Sequence, residues 1–261
     1  MRYRGLLRWL VIQWLKRKSA KSGYGYFGDY PSWEAATADS KGYDQDGITQ
    51  KVVEASRAVR DGKANYERDG QTYRDDFQWD LLPWLNELAQ KKSNLQVLDF
   101  GGALGSHYYP VKKLFPNLNL NWVIVEQESF SDLGKAEFET DKLHFASNLK
   151  EAWVYGPYDV IILGCVLPYL DKPYEVLKEL KAFNPEAILI DKHPVIKGDK
   201  DRLTVQHISP DIYEASYPAW FFSERKFKTF MSDYKLEKSI LCPDIFNVNS
   251  EFKSYFYRRK Q

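Results

Sequence analysis

The stretch Leu95-Gln96-Val97-Leu98-Asp99-Phe100-Gly101-Gly102-Ala103-Leu104-Gly105 decides the reading of the fold. A short apolar run of strand composition ends in an acid and then in closely spaced glycines, so a strand turns sharply into the next element. Residues 108–115 follow with helical spacing and close at Pro116-Asn117. The alternation then continues, with strands expected at 121–126, 143–147, 158–164 and 187–191 and a helix at 173–183. Near-continuous Val/Ile/Leu runs separated by helices predict a parallel sheet covered on both faces. The tail breaks this rhythm. After a helix at 223–231, two strands at 235–241 and 252–258 follow with no helix between them. An ordinary dinucleotide-binding fold lacks such an ending.

Upstream, the chain reads differently. Residues 30–92 form a helical lead-in: a helix opens after Ser32 as N-cap, a second spans 48–60 and a third 77–90. Gly23-Tyr-Gly-Tyr-Phe-Gly28 is turn-rich and reads as a linker. The division expected is therefore 1–28, 29–92 and 93–261. Residues 1–28 carry Arg2, Arg4, Arg8, Lys16, Arg17, Lys18 and Lys21 with no acid, around the apolar run 6–15. That run is too short to span a bilayer. It suits an interfacial helix on anionic lipid, within 1–25, a helix docked on the protein itself, or a frayed terminus.

Bulk composition bounds the function. The 261 residues carry a net charge of +1, which gives no global attraction to nucleic acid. Aromatic content of 16% fits either rings lining a pocket for flat or sugar-like ligands, or a ring-rich core. Cys165 and Cys242 make no disulfide framework and no metal-type spacing, so the expected setting is cytoplasmic, with a peripheral place at the inner membrane face if 1–25 binds lipid.

The glycine loop by itself fits many nucleotide binders, or a tight turn that holds nothing. Asp99 narrows it: an acid there can accept from an ammonium group, directly or through water, and a phosphate-binding loop has no use for one. Glu126 ends the second strand, where a carboxylate can take both ribose hydroxyls. Asn148, after Ser147 at the third strand's end, is placed to meet adenine, and Gly164-Cys165-Val166 would face a transferable methyl group. Together Asp99, Gly101, Gly102, Gly105, Glu126, Asn148 and Gly164 describe a binder of S-adenosyl-L-methionine (SAM). Arg68 either pairs the methionine carboxylate or joins an internal salt bridge with Glu67 and Asp69.

Tyr30-Pro-Ser-Trp33, Tyr66-Glu-Arg-Asp69, the 99–106 loop, Val166-Leu-Pro-Tyr-Leu-Asp-Lys-Pro173, Thr204-Val-Gln-His207 and Ala215-Ser-Tyr-Pro-Ala-Trp220 carry a more specific resemblance. Over about 26–258 the chain resembles a small bacterial family of SAM-dependent methyltransferases encoded among genes for surface polysaccharide (O-antigen-like) synthesis. The resemblance implies a Rossmann-like class I methyltransferase fold, a mostly parallel seven-stranded α/β sheet with an antiparallel C-terminal strand. It also implies a glycan-related acceptor, a small molecule or a lipid-linked sugar.

A sugar hydroxyl is a poor nucleophile near neutral pH, so a general base helps. His207, in a segment after the fifth strand, is the first candidate and His193, at that strand's end, the second; each is otherwise a structural histidine. Tyr213, Ser216, Tyr217 and Trp220 form a loop that either stacks on a sugar ring or packs as a lid. Ala103 and Asn148 also leave open a non-catalytic subunit that binds SAM or a nucleotide and acts as a scaffold. Asp99 argues against an NAD(P)-dependent sugar enzyme.

Overall fold

A computed structural model describes residues 23–42, 45–209 and 215–260. The basic segment up to residue 22 and Tyr213 lie outside the described residues.

Strand β1 (Gly25–Phe27) opens the described chain. Helix α1 (Trp33–Ala38) starts at Ser32 as expected, with the Ala35 N–H donating to the Ser32 hydroxyl at 3.2 Å. After α2 (Gln45–Arg60) the lead-in holds a hairpin, β2 (Tyr66–Arg68) and β3 (Gln71–Tyr73), where the sequence predicts only helix. Its loop, Asp69-Gly70, has φ of 53° and 71°, the paired left-handed backbone that a two-residue hairpin needs. Helix α3 (Leu82–Gln90) begins later than the expected 77. Pro83 is the reason: inside a longer helix its ring would clash with the preceding turn, so it opens the helix instead.

The alternating part then follows. It consists of β4 (Leu95–Phe100), α4 (Tyr108–Leu114), β5 (Leu120–Val125), α5 (Glu128–Glu137), β6 (Leu143–Ala146), α6 (Leu149–Ala152), β7 (Val160–Gly164), α7 (Pro173–Ala182) and β8 (Ala187–Ile196). The chain closes with β9 (Arg202–His207), β10 (Ser216–Ser223), α8 (Glu224–Phe230), β11 (Tyr234–Leu241) and β12 (Glu251–Arg259). Strands β6-β5-β4-β7-β8 pair in parallel, β12 runs antiparallel on β8, and β11 flanks β12. The seven expected strands and their antiparallel finish are all present.

Three further strands correct the sequence reading. β1, β9 and β10 pair antiparallel, and β10 joins the sheet beside the end of β8, Phe222 opposite Val195. The linker at 23–28 and the loops expected at 203–210 and 213–220 are thus largely strand. Within β10, Pro218 sits in register opposite Val205. Among the described residues no helix is long and apolar enough to cross a membrane.

Alternation along each strand sorts the core into two layers. Val97, Trp122, Ile162 and Leu189 face one side, against Leu85 and Leu88 of α3 and Val111 of α4. Leu98, Val123, Ile161 and Ile188 face the other, against Leu177 and Leu180 of α7 and Phe227 of α8. All are essentially inaccessible to solvent, and burial of each such side chain contributes about 1.5–3 kcal/mol. Strand β8 interrupts its own alternation. Ile190 pairs with Tyr255 and His193 with Lys253, so Asp191 and Lys192 together oppose Ser254. Lys192 takes φ of 48° at this bulge. Ala187 and Leu189 therefore face the first layer, whereas Val195 faces the second.

Candidate active site

A cleft of about 1100 Å³ opens at the carboxyl ends of β4, β5, β6 and β7. Open parallel sheets bind ligands at such ends, because the loops there offer free backbone groups. Its floor is Phe100–Ala103, its far wall Glu126 and Ser147–Leu149, and its roof the tip of the β2–β3 hairpin. The three-stranded addition closes the remaining side with Tyr26, Tyr217 and Pro218, joined by Trp33 and Phe246.

The loop after β4 is built around two close approaches. Gly101 has φ of 77°, and a Cβ on it would lie 2.6 Å from Val166 Cγ2. A Cβ on Gly102 would lie 2.6 Å from the Asp99 carboxylate. Both positions thus require glycine. Ala103, the loop's departure from glycine, holds φ of 49°. Its N–H donates to Glu126 Oε1 at 3.0 Å, and the Gln127 N–H donates to Oε2 at 3.0 Å. Burial raises the Glu126 pKa against those two bonds. Each oxygen keeps a further lone pair for a hydroxyl in the cleft.

Of the other sequence candidates, Gly164, Asn148, Arg68 and Tyr217 line the same cleft. Asn148 also caps α6, with the Glu151 N–H donating to its Oδ1 at 3.0 Å. Among the described residues no close ion pair ties exposed Arg68 to Glu67 or Asp69, although its charge acts on the Asp69 carboxyl, and it lines the cleft. Gly105, with φ of 107°, shapes the entry to α4 and packs on Tyr109.

The remaining candidates fall elsewhere, and each for a visible reason. Asp99 is fully buried beneath Gly102 and is not on the cleft wall. Ser216 is a buried strand residue whose hydroxyl accepts from the Lys41 N–H at 2.8 Å. Trp220 faces away, donating to the Leu170 carbonyl at 3.1 Å and stacking on Trp33. His207 is exposed at the end of β9, its ring edge-on to Phe27. His193 is buried on the apolar layer by the β8 bulge, its ring 4.3 Å from Phe222 and 4.0 Å from Phe227. Burial pushes its pKa down to about 3. Neither histidine is placed to act in the cleft.

The sequence reading gave no catalytic or binding role to His107, Glu67, Asp191 or Lys192, which all line the cleft. His107 follows the glycine loop by two residues, and its Nδ1 lies 3.3 Å from Asp99 Oδ2. Glu67 is buried and accepts from the Ser106 hydroxyl; burial raises its pKa. Lys192 Nζ lies 3.5 Å from Asp244 Oδ1. One signal was available. Asp191 and Lys192 lie midway along β8, level with Gly164 at the end of β7, but only the bulge brings both to the cleft and turns His193 away.

No known protein-family profile matches the chain, and no curated protein does. Solved structures do match. The N-terminal domain of EvdMO1, crystallised in the presence of SAH (the demethylated product of SAM) and D-fucose, superposes with a TM-score of 0.51 at 11% identity, over 84% of this chain and 98% of that one. The same domain with SAH bound gives 0.50 at 11% identity, over 80% and 97%. A SAM-dependent methyltransferase from Clostridium acetobutylicum gives 0.47 at 10% identity, over 71% and 94%. With the strand order β6-β5-β4-β7-β8-β12-β11, this chain has the Rossmann-like fold of the class I methyltransferases.

Proposed function

We propose that the chain is a SAM-dependent methyltransferase that O-methylates a sugar hydroxyl in surface polysaccharide synthesis. The observation that carries the reading is the convergence of the Gly101-Gly102-Ala103 loop and the Glu126 carboxylate on one cleft at the strand ends. The residues there fit SAM chemically. Glu126 suits the ribose hydroxyls, Ser147–Leu149 the adenine edge, Arg68 the carboxylate, and Glu67 with Asp191 the ammonium. When bound, SAM supplies a methyl carbon made electrophilic by its sulfonium. The chain itself must orient the acceptor and exclude water. The cleft wall includes Tyr26, Trp33, Tyr217 and Phe246, ring types that suit a sugar ring. D-fucose in the crystals of the EvdMO1 domain supports an acceptor of this class.

Calorimetry with SAM and SAH tests the reading. Binding of both is expected, with transfer to nucleotide-linked or lipid-linked sugars. Absence of binding near 1 mM, about −4 kcal/mol, would overturn it. A scaffold role would show as tight binding with no transfer to any glycan. The basic, apolar residues 1–25 would bring the enzyme to a lipid-linked acceptor at an anionic membrane surface. Deleting them should abolish co-sedimentation with anionic vesicles; unchanged partitioning would refute that part.

A further inference from the structure

Asp99 is walled off. It is fully buried, Gly102 roofs its carboxylate, and among the described residues its Oδ2 meets two groups, His107 Nδ1 and Trp122 Nε1, each at 3.3 Å. Its other oxygen has no hydrogen-bond partner among the described residues. The charge at the end of β4 therefore reaches the cleft through the His107 ring. That ring lies on the cleft wall with one face against Trp79, centroids 4.7 Å apart. Its other edge covers Gly164, where a Cβ would lie 2.5 Å from Cε1 and 3.4 Å from Nε2. Any side chain at 164 would displace the ring. Asp99 is the last residue but one of β4, Gly164 ends the neighbouring β7, and Gly164 pairs with Asp191, so the imidazole projects over the middle of the cleft floor. With Asp99 accepting at Nδ1, the proton belongs on Nδ1 and the lone pair on Nε2. No described protein group hydrogen-bonds that nitrogen.

Resting on the methyltransferase reading above, we infer that His107 is the catalytic base that removes the acceptor's hydroxyl proton and that Asp99 is its positioning residue. The hydroxyl proton moves to Nε2, the oxygen's electron pair forms the bond to the methyl carbon, and the carbon–sulfur pair returns to sulfur as the sulfonium becomes a thioether. The imidazolium then releases its proton to solvent. The surroundings suit this cycle. Burial opposes the charged ring, but Asp99 on β4, Asp191 on β8 and Glu67 on the hairpin together hold the His107 pKa above the ordinary histidine value. A base serves best when its pKa lies near the working pH, and three carboxylates stabilise the charge it gains. The pairing repeats the logic by which an aspartate fixes the tautomer of a catalytic imidazole.

The test separates this assignment from the reading beneath it. Calorimetry of SAH is run on the full chain and on His107→Gln, and the histidine ring carbons and nitrogens are followed by NMR across pH in the SAH complex. Wild-type binding is expected, with His107→Gln within about threefold of it, because the ring serves the acceptor. Neutral His107 is expected to carry its proton on Nδ1, and Asp99→Asn should lower its pKa by about 1 or more. A loss of SAH affinity beyond about tenfold in His107→Gln would make the ring a cofactor ligand and overturn the inference. A neutral proton on Nε2, or a titration untouched by Asp99→Asn, would also overturn it. The tautomer is read on the unmodified protein and decides the matter even if Asp99→Asn does not fold. Failure of the wild-type chain to bind SAH overturns instead the methyltransferase reading itself.

Discussion

His107 and His193 lie on opposite faces of one sheet, and their surroundings differ in every respect that matters to a proton. His107 stands among Asp99, Asp191 and Glu67 on the cleft side, and its pKa is raised. His193 lies between Phe222 and Phe227 with neither ring nitrogen hydrogen-bonded to a described group, and its pKa falls to about 3. Position at a strand end does not make a histidine functional; the face it lands on does. The two also act oppositely on stability. The His193 contribution is whole above pH 6.5, its ordinary value, and is lost as pH falls toward about 3. The His107 contribution is whole below the ordinary value and is lost as pH rises through its folded pKa.

Gly102→Val attacks the polar face most directly. Its side chain would enter the space of the buried Asp99 carboxylate, costing about 3 kcal/mol in a urea melt and SAH affinity by about a hundredfold. If both survive, the loop is slack and the contrast between the faces weakens. His193→Phe probes the apolar face. It should fold at neutral pH and remove the acid penalty, about 1.4 kcal/mol per pH unit below 6.5, so denaturation curves at pH 4.5 should favour the variant by about 2–3 kcal/mol. An unchanged pH dependence would mean that His193 is not the buried neutral group.

Glu126→Ala tests the far wall of the cleft. Loss of charge-assisted bonds to the ribose should weaken SAH by roughly tenfold to a hundredfold with little change in melting, read by calorimetry. Equal affinity would place the ribose elsewhere. The smallest expected effect is Ser223→Ala. The Ser223 hydroxyl donates to the Gly198 carbonyl at 2.7 Å and accepts from the Lys226 N–H at 3.3 Å, so it caps the helix that brings Phe227 to His193. Its loss should cost about 1 kcal/mol in thermal unfolding and leave SAH affinity unchanged.

The parallel part of the fold was legible because each strand is buried on both faces and therefore written as an unbroken apolar run, as in Val160-Ile-Ile-Leu163. The added strands were not. β1 and β9 are short or mixed in composition, and β10 carries Pro218, so their pairing depends on partners far along the chain. Of the cleft, the glycine loop and Glu126 were readable, since glycines and strand-end acids are local signals. The walls that His107 and the added strands supply were not. Whether His107, His193 or His207 meets the cleft depends on which face a bulge selects and which ring a glycine such as Gly164 admits.

The bulge in β8 has an arithmetic consequence. A strand spells its two faces in alternate letters, and Lys192 is one letter inserted into that text. Removing it would restore regular alternation without moving His193 or Val195 to a new face, because the insertion absorbed the phase change by itself. A single-residue deletion in a central strand ordinarily scrambles the core beyond it. Here deletion of Lys192 would leave both layers intact and subtract from the cleft only its ammonium group and the outward turn of the backbone.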